Sequence, residues 1–87
     1  MARYYFDVHD GGPRFDDTGT ELAELENVRE QAKRLLPDIA REEIPREGDQ
    51  RTFTVLVKDE GGKPVYSATL TFAGLWLHGQ AEPVHLS

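Results

Sequence analysis

A chain of 87 residues has room for one small domain with one hydrophobic core and little space for a deep pocket. Its 16 acidic and 10 basic side chains give a formal net charge of −6, which argues against nucleic acid as a partner because phosphate binding depends on Lys and Arg. Cysteine is absent, which excludes disulfide bonds, thiolate metal sites and cysteine nucleophiles.

The hydropathy pattern predicts no membrane association. The chain contains no run of 18 or more apolar residues, and no apolar leader precedes its first charges. A transmembrane helix needs about 20 such residues. We therefore expect a cytoplasmic protein.

The N-terminal residues predict a β-hairpin. From Arg3 to His9 the side chains alternate with the period of two that is typical of a half-buried strand, which places Tyr5, Asp7 and His9 on the outer face. The turn residues DGGP at 10–13 predict a short return strand over 14–16, and the loop DDTGTE follows it.

The middle of the chain predicts an amphipathic helix. Its apolar side chains recur at steps of three, four and seven and form one stripe: Leu25, Val28, Ala32, Leu35, Ile39 and Ala40. Pro37 lies inside this segment and lacks a backbone donor, so we expect a kink there or a split into two helices over 25–36 and 38–44.

The second half of the chain predicts another hairpin, with strands over 51–58 and 65–72 around the turn DEGGK. In its last strand the even-numbered side chains Tyr66, Ala68, Leu70 and Phe72 share one face, and Val65, Ser67, Thr69 and Thr71 share the other. The order strand, strand, helix, strand, strand predicts an α+β fold in which one helix packs on a four-stranded, mainly antiparallel sheet. The order of the strands within that sheet stays open.

The chain divides into one predicted domain and a C-terminal segment. Residues 1–74 form the single α+β domain, and 75–87 form an apolar extension and a polar tail. The most apolar window, LTFAGLWL, ends in Leu75, Trp76 and Leu77. These three residues either fold back on the core or form a patch that another subunit covers.

Four segments resemble a family of small uncharacterised proteins common in rhizobia and related alphaproteobacteria: the opening RYYFDVHDG, the D-x-x-G-x-E-L step at Asp16 to Leu22, the helix LENVREQAKRLL and the closing hairpin VLVKDEGGKPVYSATLTF. The likeness covers residues 1–72. The family is a domain of unknown function, so the resemblance implies a bacterial origin and a shared fold and transfers no catalytic residues. The LENVREQA helix after a hairpin is also locally similar to HicB-type antitoxin domains.

The candidate metal ligands are His9, Asp7 and Asp16 in the first hairpin and its loop. Imidazole and carboxylate groups suit divalent ions such as manganese, calcium or magnesium. The spacing does not fit an EF-hand loop, and Asp at turns usually accepts backbone hydrogen bonds. We therefore expect turn chemistry and no cofactor, and a metal-binding or small-ligand-binding domain centred on these residues stays an alternative.

Catalytic machinery is not predicted. Of the three histidines, His78 and His85 lie in the terminal segment, and the serines stand in no recognisable nucleophile elbow. Each glycine pair, at 11–12 and 61–62, joins two strands and opens no helix, so neither predicts a phosphate loop. We expect that the protein is not an enzyme.

The outer face of the sheet favours protein interaction. It is rich in threonine and includes Tyr5, Leu56 and Thr69, which suit pairing with another copy or with a partner protein. We therefore expect a non-catalytic interaction module, most simply a homodimer joined through a sheet edge or through Leu75, Trp76 and Leu77. An antitoxin-like regulator is a second alternative.

Overall fold

The computed structural model describes residues 1–46 and 48–77. In these residues the elements follow the order β-β-β-α-β-β: β1 Ala2–His9, β2 Pro13–Arg14, β3 Thr20–Leu22, α1 Glu26–Glu43, β4 Gln50–Lys58 and β5 Pro64–Ala73. The predicted α+β fold is confirmed, since one helix packs on one antiparallel sheet. The difference is β3, a short strand within the segment predicted as a loop.

The sheet has the order β2-β1-β4-β5, and β3 also pairs with β1. The short strands β2 and β3 pair with opposite ends of β1. The hairpin of β4 and β5 is long and antiparallel, and β4 also pairs with β1. The central strands are therefore β1 and β4, and β5 lies at the edge.

The core lies between α1 and one face of the sheet. Its buried apolar side chains come from one stripe of the helix and from alternate positions of the two central strands: Phe6, Val8, Val28, Ala32, Leu36, Ala40, Phe53, Val55 and Val57. The period-two pattern of the strands therefore identified the inward-facing positions of β1 and β4.

The helix departs from the prediction in two ways. Helix α1 runs without a break from Glu26 to Glu43 and includes Pro37, so the predicted split does not occur. Proline removes only one donor, and the hydrogen bonds on either side of it maintain the helix. The predicted stripe also began one turn too early: Leu25 is 61% exposed at the N-cap, whereas Leu36 is 5% exposed. Leu36 completes a row in which the buried residues are four positions apart.

A β-bulge changes the orientation of Val65. The pairing of β5 with β4 shifts between Val57 and Lys58, because Tyr66 lies opposite Val57 whereas Pro64 lies opposite Lys58. The extra residue, Val65, packs against the core instead of lying on the predicted outer face. A bulge inserts one residue into one strand, so the alternation of faces is interrupted there.

The C-terminal part of the prediction lies partly beyond the described structure. Residues 78–87, which include His78, His85 and most of the predicted polar tail, are outside the described residues. In the described ranges, no helix is both long enough and apolar enough to cross a membrane.

Replacement of Leu36 by Ala should lower the free energy of unfolding by about 2–5 kcal/mol, because the side chain is buried in the core. The matched substitution Leu25→Ala should change it by no more than about 0.5 kcal/mol, because Leu25 is exposed. Urea unfolding of both variants measures the difference. Equal losses would show that the buried stripe has been misplaced.

Candidate functional site

The loop after β2 is organised by one carboxylate, that of Asp16. Its Oδ2 accepts a hydrogen bond from the backbone N–H of Phe6 at 3.1 Å. Its Oδ1 accepts from the backbone N–H groups of Thr18 and Gly19, each at 3.0 Å. Strand β3 pairs with the start of β1 and β2 pairs with its end, so neither strand reaches Phe6 between them. The Asp16 carboxylate accepts the Phe6 N–H that would otherwise lack a partner strand there.

These hydrogen bonds lower the pKa of Asp16. Burial, the largest single contribution, raises the pKa, but the backbone N–H groups of Gly19, Phe6 and Thr18 together hold it below the ordinary value of 3.8. Hydrogen bonds to the charged form stabilise the carboxylate relative to the acid. Asp16 is therefore ionised at neutral pH and holds the loop as an anion.

A second carboxylate, Asp7, connects the loop to the sheet. This residue is only 2% exposed. Its Oδ1 accepts from the backbone N–H of Asp16 at 2.9 Å, and its Oδ2 lies 2.7 Å from Nζ of Lys58. The Lys58 ammonium also lies 5.8 Å from the centre of the Phe15 ring. The buried charge of Asp7 is thus compensated by a cation and a backbone donor, as a buried carboxylate requires.

The structure brings together two of the three candidate metal ligands. Asp7 and Asp16 are joined by the hydrogen bond between them, whereas His9 is exposed at the end of β1, opposite Pro13 and Thr54. In the part of the chain that the structure describes, no three His, Asp or Glu side chains are grouped closely enough to hold a metal ion. The contacts of both aspartates stabilise the loop and the sheet.

Gly19 fits the same loop for two physical reasons. Its φ of +80° lies in the left-handed region, which disfavours residues with a Cβ atom. A Cβ at this position would lie 2.7 Å from Cγ of Arg3 and 3.0 Å from Cε2 of Tyr5. The D-x-x-G spacing thus places the acceptor and the glycine in the same turn.

Strand β5 forms an open edge of the sheet. Among the described residues it pairs with β4 alone. Its ten residues, PVYSATLTFA, carry no charge, although 30% of the whole chain is charged. On the helix side of this strand, Leu70 and Phe72 remain 36% and 37% exposed. We call residues 66–72 of this strand the β5 edge.

An apolar groove lies between the helix and the β5 edge. It has a volume of about 280 Å³ and is lined chiefly by these residues: Ala32, Leu36, Pro37, Tyr66, Ala68 and Leu70. A larger open groove of about 420 Å³ lies between the helix and the first hairpin, where Phe15, Asp16 and Leu35 are among its lining residues.

The predicted second surface lies on one face of the sheet, opposite the helix. Tyr5, Leu56 and Thr69 occupy outer positions of β1, β4 and β5. Across β4 and β5, Oγ1 of Thr54 lies 3.1 Å from Oγ1 of Thr69. Leu56 lies one pair further along the same face, opposite Ser67, so the three predicted residues share a face without forming a compact cluster.

The segment after β5 is exposed. Leu75, Trp76 and Leu77 are 42%, 65% and 85% exposed, so in the described structure they do not join the core between α1 and the sheet. They follow Gly74, whose N–H donates to the carbonyl of Asp49 at 2.7 Å. The predicted interface residues therefore directly continue the edge strand.

Sequence reasoning placed Tyr66, Leu70 and Phe72 on the core face and did not identify them as an open surface. Their alternation correctly gave the face, but alternation does not show how far a helix extends across a sheet. One sequence feature could have indicated this open surface: residues 64–73 carry no charge. Edge strands usually carry charged side chains that prevent pairing with other chains.

In the described residues, the geometry defines a small α+β domain in which one helix covers part of an antiparallel sheet and the long strand β5 pairs on one side only. Residues 3–71 match the family described as Domain of unknown function (DUF6894), and the chain belongs to this family. No curated protein and no solved structure matches the chain. The comparisons thus show the family of unknown function but neither the rhizobial origin nor the HicB likeness.

Asp16→Asn should destabilise the protein above about pH 5 by about 1–2 kcal/mol, because a neutral amide replaces a carboxylate that accepts three backbone hydrogen bonds. The folded-state pKa of Asp16 is lowered, so its stabilising contribution is complete above the unfolded value and disappears as pH falls through the folded value. The difference from the parent protein should therefore shrink below about pH 4.

Urea unfolding from pH 3 to pH 7 measures this effect. The control is Asp17→Asn, because the carboxylate of Asp17 makes only a 3.4 Å contact with the Thr18 hydroxyl. The control should show a small and nearly constant difference across the range. A pH-independent loss for Asp16→Asn would contradict the anionic role of this carboxylate.

Proposed function

We propose that this protein is a cytoplasmic, non-catalytic interaction module that acts as a homodimer joined through the β5 edge. The observation that carries the proposal is the long, uncharged edge strand. An exposed edge presents unpaired backbone donors and acceptors, and proteins that must avoid association usually protect it with charge, proline or a covering element. Strand β5 carries proline and a bulge only at its first residues.

The composition of β5 supports pairing with another strand. It combines β-branched and aromatic residues with small ones, and such side chains pack well on a pleated surface. A small domain also has a limited core, and association buries additional apolar surface. The partly exposed Leu70 and Phe72 lie on this strand and would be buried by a neighbouring copy.

The exposed segment Leu75, Trp76 and Leu77 supports the same interface. It continues the chain directly from β5, and aromatic residues of this kind anchor many interfaces. Tyr5 and Leu56 lie on the outer face beyond Thr69 and form a second surface for a partner protein. The proposed dimer interface and the second surface therefore both include or adjoin residues of β5.

Binding of a small ligand is the second candidate function. It is favoured by the groove of about 420 Å³, where exposed Phe15 and half-buried Leu35 provide apolar walls beside Asp16. A groove with apolar walls and a few polar groups is typical of a ligand site. A bound ligand would add a fixed mass to each chain, which distinguishes this function from bare self-association.

The native mass of the purified, untagged protein tests both candidates. We expect the mass of two chains with nothing added, and a twofold decrease in mass when the sample is diluted below the dissociation constant. A monomer at all concentrations would overturn the homodimer proposal. A monomer with stoichiometric extra mass would favour the ligand site.

Leu70→Lys should convert the dimer into a monomer, because it places a charge within the uncharged edge. The fold should tolerate the change, since Leu70 is 36% exposed. Phe15→Lys also replaces an apolar side chain by a charged one, at a residue that is 69% exposed just after β2 and away from the β5 edge, and it should leave the dimer intact. Native mass and thermal unfolding of both variants separate loss of association from loss of folding. A dimeric Leu70→Lys variant would place the interface elsewhere.

A further inference from the structure

The regular part of β5 has two clear limits. At its start, Val65 is the bulged residue, and Pro64 has no N–H to donate. At its end, Gly74 leaves the strand and donates to the carbonyl of Asp49. In the part of the chain that the structure describes, the seven positions from 66 to 72 therefore offer an uninterrupted edge, and the middle residue of this stretch is Thr69.

Two identical antiparallel strands can pair symmetrically only about a twofold axis perpendicular to the sheet, so side chains of the same face meet each other. We infer that a second copy of the chain pairs with the β5 edge about an axis at Thr69, so that Thr69 lies opposite itself. This inference rests on the proposed function and specifies its interface. The two sheets then form one continuous sheet with both helices on the same face.

The helix side of β5 is complementary to itself in this register. Ala68 lies opposite Leu70 of the second copy, and Tyr66 lies opposite Phe72 of the second copy. Each large aliphatic side chain thus meets a small one, and each aromatic ring meets another ring, which is a favourable cross-strand pair. The apolar groove is lined by Ala68 and by Leu36 of the helix, so the Leu70 side chain of the second copy occupies its open side.

The outer face continues across the same axis. Within one chain, Oγ1 of Thr54 and Oγ1 of Thr69 are 3.1 Å apart. With Thr69 opposite its own copy, four threonines from four neighbouring strands form one row across the sheet. Thr71 lies opposite Ser67 of the second copy, so the neighbouring pairs also match hydroxyl with hydroxyl.

The neighbouring symmetric registers fit less well. An axis at Ala68 places two small side chains opposite each other and brings Pro64 opposite Phe72. An axis at Leu70 places two leucines opposite each other and leaves Tyr66 opposite Gly74. The axis at Thr69 keeps all seven regular positions paired. Each chain has a net charge of −6, so two copies repel each other. Strand β5 is uncharged, so pairing through β5 adds no charge repulsion between the paired strands.

A single cysteine at Thr69 tests the register, because the chain has no other cysteine. Directly opposite residues of antiparallel strands have Cα atoms about 4.5–5.5 Å apart, which falls within the range for a disulfide bond. Full-length Thr69→Cys, with oxidised glutathione as the electron acceptor, should therefore form a covalent dimer that dithiothreitol reverses. Ser67→Cys should form none, because its two copies lie four residues apart along the strands.

Two further samples keep the test independent of any single variant. An equimolar mixture of Ser67→Cys and Thr71→Cys should crosslink as a heterodimer, because these positions lie opposite each other in the inferred register. Leu70→Cys should not crosslink with itself, and a crosslink there with none at Thr69 would move the axis and overturn the inference. Circular dichroism verifies that each variant is folded.

Native mass distinguishes failure of the homodimer proposal from failure of the Thr69 register. A dimer that crosslinks at Thr69 and in the mixed pair supports both the homodimer and its register. A dimer that crosslinks at neither overturns the register and leaves the proposed function standing. A monomeric parent protein overturns the proposed function, and with it the inference.

Discussion

The width of one helix sets the architecture of this protein. An α-helix with its side chains is about 10–12 Å across, whereas neighbouring strands are about 4.8 Å apart, so one helix covers little more than two strands. Helix α1 packs on β4 and on β5, and Phe53, Val55 and Val57 of β4 are fully buried. The first half of β5 lies under this cover, where Tyr66 and Ala68 pack against the core, whereas the second half extends past it and keeps Leu70 and Phe72 partly exposed. Among the described residues α1 is the one helix, so no second helix covers this half of the strand.

The two edges of the sheet differ in how their backbone groups are satisfied. On the side of the first hairpin, Asp16 accepts a hydrogen bond from β1 at Phe6, which neither short strand pairs. Buried Asp7 bonds to this loop and pairs with half-buried Lys58 on the outer face. The loop therefore satisfies the N–H of Phe6 in the gap between the two short strands with one of the chain's own side chains. Strand β5 has no comparable closure in the described residues. This asymmetry is the physical basis for proposing that a second copy completes the sheet.

Membership of a family of unknown function supplies a fold without supplying an activity. The surfaces that the described fold leaves open are therefore the features that bear on function. A fold alone does not determine a function. Three surface features are more informative: the β5 edge, the apolar groove beside it, and the exposed residues Leu75, Trp76 and Leu77. All three features adjoin the same strand, and this is why we propose association through that strand.

Local chemistry in the sequence determined the helix, the three longer strands β1, β4 and β5, and the apolar face of each of these strands, because alternation and helical periodicity are local properties. It also marked Asp16 and Gly19 as turn residues and Leu75 to Leu77 as an apolar extension. Tertiary structure decided the strand order, the bulge at Val65, the burial of Leu36 in place of Leu25, and the hydrogen bond that joins Asp7 to Asp16. These features depend on which segments meet in space, and a pattern read along one chain does not specify that.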